Sequence, residues 1–248
     1  MCRNTLQLWL LQKFLTCMKL LALETSAETA SVALSIDGLL IAREGGTPGT
    51  HARSLLPWIV EVLAEGGIPL DRLDGIAFSA GPGSFTGLRL AVSVSQGLAL
   101  GGCLDLVAVP TLRALALAAG DGRHLVCVDA RMSEVYSAAY EVSGEQVTEI
   151  SPPAVGAPSA LQAPDGDLSL WRGCGSGFAL ASVQALPWIA SLGAVDASIA
   201  AHAREICRLG MLGLAAGKGI DAALAAPLYV RDKVAQTTAE RLAVGGRA

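Results

Sequence analysis

The strongest constraint on the fold is a pattern that occurs twice. Residues 20–34 read LLALETSAETASVAL: four apolar residues lead to Glu24, a polar turn follows, and an apolar stretch returns over residues 30–34. Residues 125–140 read LVCVDARMSEVYSAAY, again with four apolar residues, an acid (Asp129), a polar turn and a returning stretch over residues 135–140. Short apolar runs bounded by polar turns read as strands, and in each half a further turn leads into a third one, near residues 39–40 and 146–150. The two acids lie 105 positions apart. Two halves that each open strand–acid–turn–strand–turn–strand predict an internal duplication, with chance similarity between two β-meanders as the alternative.

The segments between these openings read as helices. Residues 51–64 (HARSLLPWIVEVLA) place Leu55, Leu56, Ile59, Val60 and Leu63 on one stripe, with Pro57 bending the first turns or marking where the regular part begins. Residues 73–79 form a strand, and residues 88–100 (LRLAVSVSQGLAL) a helix rich in small residues. In the second half, residues 151–169 read as an exposed connection, residues 171–177 (WRGCGSG) as a Gly-rich turn and residues 198–216 as a helix. The expected fold is α/β, with two related lobes that each carry a mixed sheet and packed helices. The expected division is an N-terminal lobe over 18–115, a C-terminal lobe over 116–232 and a flexible tail over 233–248. Residues 1–17 are interrupted by Gln7, Gln12 and Lys13 and read as an upstream extension, with Met18 opening the functional protein.

Composition excludes several classes. Mean hydropathy is high at +0.50, yet no apolar run approaches the roughly 18 residues of a membrane span. A net charge of -4 with no dense Lys/Arg cluster is unsuited to holding a polyanion directly. The six cysteines contain no C-x-x-C pair, so neither a zinc site nor a disulfide framework is expected, and the cytoplasm is the natural compartment. Cys103 and Cys127 read as small buried hydrophobes.

Few residues suggest chemistry. Residues 79–89, SAGPGSFTGLR, look like a phosphate cradle, because Gly81, Gly83 and Gly87 permit close approach and Ser84 or Thr86 can cap a helix whose free N–H groups favour an anion. No Lys follows the last glycine, so the P-loop pattern fails, and a tight strand-to-helix turn accounts for the same residues. Glu24 and Asp129 either serve an interlobe cleft or cap their own turns, and Arg131 is placed to neutralise Asp129. His51, His124 and His202 form no H-x-x-x-H pair, so no metal site is expected.

Taken together, LLALETSAETASVAL, HARSLLPWIVEVL, DGIAFSAGPGSFTGLRLAVSVSQGLALG, VPTLRALA, VDARMSEVYSAAY and APLYVRD resemble the TsaB (YeaZ) family, over residues 18 to about 232. This is the bacterial accessory protein of tRNA threonylcarbamoyladenosine (t6A) synthesis. The resemblance implies the duplicated actin/Hsp70/sugar-kinase-like (ASKHA) fold. It also implies kinship to the catalytic subunit TsaD, whose metal-binding histidines form H-x-x-x-H on a helix. Here the matching segment is His51-Ala52-Arg53-Ser54-Leu55, which departs from metal-dependent chemistry. The family's first acid is commonly Asp, whereas this chain has Glu24, which displaces the carboxylate by about 1.5 Å.

The implied role is a non-catalytic scaffold that dimerises with TsaD through first-lobe helices and recruits the ATPase TsaE. It would form a homodimer when alone and meet tRNA only through the complex. The interface candidates are His51, Leu55, Leu56, Ile59, Val60, Leu88, Ala91, Val94, Ser95 and Leu98, some of which must instead pack on the sheet. The candidate anion or nucleotide set is Glu24, Thr25, Ser26, Gly81, Gly83, Ser84, Thr86, Gly87 and Asp129. No cofactor is required, with weak ATP or ADP binding as the most this set implies. The alternative is a kinase or ATPase that works in the interlobe cleft.

Overall fold

The structure is a computed structural model that describes residues 17–47 and 49–230. The expected extension over residues 1–17, apart from Cys17, and the expected tail over 233–248 lie outside the described residues. The first half contains β1 (Leu20–Glu24), β2 (Ala30–Ile36), β3 (Leu39–Gly45), α1 (His51–Glu65), β4 (Gly75–Gly81), α2 (Phe85–Gly102), β5 (Leu106–Pro110) and α3 (Thr111–Ala118). The second contains β6 (Gly122–Asp129), β7 (Val135–Ser143), β8 (Gln146–Gly156), β9 (Trp171–Cys174), α4 (Ala181–Gln184), β10 (Ala194–Asp196) and α5 (Ala203–Ala215).

The duplication is visible in the strand order. The first sheet runs β3-β2-β1-β4-β5 and the second, read in the same sense, β8-β7-β6-β9-β10. In both, the first three strands form an antiparallel meander, and the fourth and fifth add in parallel beside the first. This is the two-lobe ASKHA arrangement. Both faces of β1 are covered, which is why all five of its residues are buried and its sequence is apolar up to the acid.

The lobes exchange their last helices. α3 follows the first sheet but packs on β6, β7 and β8; α5 follows the second sheet but packs on β1, β2, β4 and β5. One core therefore joins Leu20, Ala22 and Ala77 of the first sheet to Leu112 and Leu115 of α3, Val126 and Tyr140 of the second sheet, and Ile206 of α5. A separate core lies on the outer face of the first sheet, where α1 and α2 cover Leu21, Leu23, Val32 and Phe78. Among the described residues, no helix is long and apolar enough to cross a membrane.

Several expectations are corrected. β8 continues to Gly156 through Pro152 and Pro153, where a connection was expected; it is an edge strand, and its pairing with β7 shifts register near the prolines. Residues 171–174 form β9 rather than part of a turn, because Trp171 and Cys174 bury their side chains. Cys103 is exposed and left-handed (φ 52°), ending α2, whereas Cys127 is buried as expected. The second half has short 3-10 turns and the four-residue α4 where the first has the long α1 and α2.

Candidate functional site

The glycine loop between β4 and α2 does not stand open. It is filled by the turn after β1. The Thr25 hydroxyl donates to the Gly87 carbonyl at 2.7 Å, and the Ser84 N–H donates to the Ser26 carbonyl at 3.0 Å. A Cβ on Gly83 would lie 2.7 Å from the Ser26 Cβ, and one on Gly87 would strike the Thr25 carbonyl oxygen. On the other side, the Gly81 N–H donates to Thr111 Oγ1 at 3.1 Å. The Ser84 side chain caps α2 by accepting from the Gly87 N–H at 3.4 Å. The glycines thus permit close approach of protein backbone, in the space that an anion would need. Of the candidate anion set, Glu24, Thr25, Ser26, Gly81, Gly83, Ser84 and Gly87 come together, but Thr86 is exposed and Asp129 lies on the other lobe.

The two repeated acids have diverged. Glu24 is fully buried. Its Oε1 accepts from the Ser26 N–H, from Ser26 Oγ at 2.6 Å and from the Ala27 N–H at 3.1 Å, so it caps its own turn. Burial raises its pKa above the ordinary carboxyl value, against the lowering effect of these bonds and of the Ser79 hydroxyl alongside. Asp129 is more exposed and caps its turn by accepting from the Arg131 N–H at 2.8 Å. The Arg131 guanidinium neutralises Asp129 at 3.2 Å and reaches across to Glu28 of the first lobe at 2.7 Å.

His51 is buried, with Nε2 at 3.1 Å from the Glu28 carbonyl, and Leu55, one turn on, is fully buried. Among the described residues, no three His, Cys, Asp or Glu side chains come together as a metal site would require.

The expected docking face is corrected by burial. His51, Leu55, Ile59, Leu88, Ala91 and Ser95 point into the first lobe and are at most 7% exposed, so no partner can reach them. The reason is rotational: α1 buries His51, Leu55, Ile59 and Val62, which turns Leu56 and Val60 outward at 52% and 67% exposed. Val94 and Leu98 are half-buried. α1 turns Ala52, Leu56, Val60 and Ala64 outward beside Arg53, Pro57, Glu61 and Glu65, and α2 exposes Ser93, Gly97, Leu100 and Gly101 beyond Phe85, Thr86 and Arg89 of its first turns. Among the described residues, nothing beyond its own helix comes within 4 Å of where a Cβ on Gly97 or Gly101 would lie.

A third feature had no local signal. After α5 the chain returns to the first lobe, where Ile220 pairs with Leu106 along the β5 edge. Gln96 on α2 donates to the Ala222 and Ala225 carbonyls at 2.8 and 3.2 Å, and the Leu228 N–H bonds to the Ala80 carbonyl. These partners lie about 130 residues apart in the chain, beyond the reach of any periodicity.

Comparison with known proteins agrees with this geometry. A family model, "TsaD: tRNA N6-adenosine threonylcarbamoyltransferase", matches residues 46–238. The "tRNA threonylcarbamoyladenosine biosynthesis protein TsaB" of Escherichia coli (strain K12) is 41% identical over 128 residues, covering 50% of this chain and 55% of that protein. The chain spans about half the length of the curated relatives it matches. Two solved structures from Pseudomonas aeruginosa align over 86% of this chain. One, titled an uncharacterized protein with similarity to peptidase YEAZ, is 36% identical and covered in full, with a TM-score of 0.81. The other, titled YeaZ, is 34% identical and 99% covered, with a TM-score of 0.76.

Proposed function

Since the chain belongs to the TsaB (YeaZ) family, with kinship to the TsaD threonylcarbamoyltransferases, we propose that it is a non-catalytic, cytoplasmic accessory subunit of tRNA t6A synthesis. In this reading it docks onto TsaD through the outer face of the first lobe, and the joint assembly recruits TsaE. The observation that carries the proposal is a pair of exposed helix stripes on that face, with apolar Leu56 and Val60 on α1 and small Ser93, Gly97 and Gly101 on α2. Glycine inside a helix costs roughly 1 kcal/mol relative to alanine. At Gly97 no contact among the described residues explains that cost, whereas a close-packing partner helix would. Exposed apolar residues side by side, such as Leu56 and Val60, also mark contact surfaces. The same face is suited to a homodimer when TsaD is absent.

Support for the non-catalytic part comes from position 55. A buried leucine stands where a second metal-binding histidine would, and His51 itself is spent on a backbone carbonyl. The filled glycine loop supports a subunit that needs no cofactor and binds ATP or ADP weakly at most. The test is reconstitution of the modification from TsaD, TsaE and threonylcarbamoyl-adenylate synthase on unmodified tRNA. The expected result is t6A formation with this chain present and little without it, and no ATP turnover by the chain alone. Equal formation in both reactions would refute the role, and rapid ATP turnover by the isolated chain would favour the kinase or ATPase alternative.

A further inference from the structure

The second oxygen of Glu24 has no place in this account. Among the described residues, Glu24 Oε2 is buried without a hydrogen-bond partner, and so is Ser79 Oγ. The parallel register that sets Leu23 beside Phe78 brings Glu24 and Ser79 side by side on the inner face of the first sheet. Their other neighbours are neutral. Ser31 stands opposite Glu24 on β2, Ser26 and Thr111 lie at 3.4 Å from one another at the start of α3, and the glycine loop above offers only Gly83 and Ser84. The charged groups on adjoining elements include Arg113 of α3, which donates to the Val147 carbonyl at 2.8 Å, and Glu205 in the first turn of α5, whose Oε2 is likewise buried without a partner among the described residues. His202 and Arg204 at the start of α5 face Glu44, and Arg131 bridges Glu28 and Asp129 at the surface. The donors to Oε1 and the positive end of the two-turn α3 favour a carboxylate here, and burial outweighs them.

A buried charge without a countercharge is far more costly than a buried neutral acid. The Ser79 hydroxyl donating to an ionised Oε2 would leave that charge buried, whereas a proton on Oε2 donated to Ser79 Oγ pairs both oxygens without it. We propose that Glu24 is held as the neutral carboxylic acid, its Oε2–H donated to Ser79 Oγ, and that this pair latches the turn on which α2 begins. The mechanical link is short. Oε1 fixes Ser26, the Ser26 carbonyl holds the Ser84 N–H, and Thr25 holds the Gly87 carbonyl. Ionisation of Glu24 would place a charge beneath these contacts and loosen the first turn of α2. The inference does not depend on the docking role.

Infrared spectroscopy of the intact chain tests it. At neutral pH the wild-type protein should show the C=O band of a protonated, hydrogen-bonded carboxyl, absent in Glu24→Gln. Because the amide mimics the neutral acid, Glu24→Gln should also melt where the wild type does. In Ser79→Ala the band should move to the higher frequency of a carboxyl that donates to nothing, a readout that a purely structural role of Ser79 would not give. Hydrogen exchange at Gly87 and Leu88 should accelerate in mildly alkaline solution beyond the intrinsic base-catalysed rise, and Glu24→Gln should abolish the excess. Absence of the band in the wild type would overturn the proposal even if Glu24→Gln failed to fold. A band unmoved by Ser79→Ala would overturn the assignment of Ser79 as its partner.

Discussion

The Thr25 hydroxyl donates to the Gly87 carbonyl across 2.7 Å, joining the turn after β1 to the start of α2, 62 residues later. The contact exists because Gly87 has no Cβ; a methyl group there would collide with the Thr25 carbonyl, which is backbone and cannot swing aside. Gly87→Ala should therefore destabilise the protein by about 3 kcal/mol through overpacking. For a chain of this length that lowers the melting temperature by roughly 10 °C, measurable by calorimetry. A change of one or two degrees would show that the loop has room to spare.

Ser95 and Leu56 should respond to the same substitution in opposite ways. Ser95 is fully buried and its hydroxyl has no partner, so Ser95→Asp places an unpaired charge in the outer core and should cost at least about 3 kcal/mol. Leu56 is half-exposed, and Leu56→Asp should change stability by no more than about 0.5 kcal/mol. Urea midpoints of the two variants check the difference.

His124 should make stability depend on pH. Burial holds its pKa below the ordinary 6.5, helped by Arg172 and opposed by the Gly120 carbonyl, which its Nε2 meets at 2.7 Å. The unfolded chain takes up a proton near 6.5 while the folded chain resists, so this contribution is present above that value and is lost as the pH falls below it. Between there and the depressed folded value, the slope approaches about 1.4 kcal/mol per pH unit. His124→Gln should flatten the unfolding midpoint over that window, measured by urea titration at successive pH values. An unchanged slope would show that His124 does not carry it.

The five cysteines among the described residues should divide by burial. Burial pushes the thiols of Cys127, Cys174 and Cys207 up to about 12, so each stays protonated and shielded in the native state. Cys103 and Cys17 are exposed. Brief alkylation near neutral pH followed by peptide mass spectrometry should label those two and spare the buried three until denaturant is added.

The fold was legible in the sequence where local pattern decides structure. The repeated strand–acid–turn blocks gave both meanders, because alternation and turn chemistry act over a few residues. The stripe that the sequence predicts on α1 is one position too wide: Leu55 and Leu56 are equally apolar, and only the rotation set by His51 and Val62 decides which faces the sheet. The cradle-like loop illustrates the deeper limit. SAGPGSFTGLR carries the residue types of an anion site, and what fills it is another segment of backbone, whose arrival no composition records. The helix exchange between lobes, and the return of residues 220–228 along the first sheet, are likewise long-range events without a local signature.

Docking of TsaD on the outer face of the first lobe is measured by titration calorimetry of TsaD with the wild-type chain and with a Leu56→Asp/Val60→Asp double variant. The account predicts saturable binding by the wild type. It predicts an affinity loss on the order of 100-fold in the double variant, the effect of removing central apolar anchors, with an unchanged melting temperature. Equal affinity of the two proteins for TsaD, with both fully folded, would contradict it.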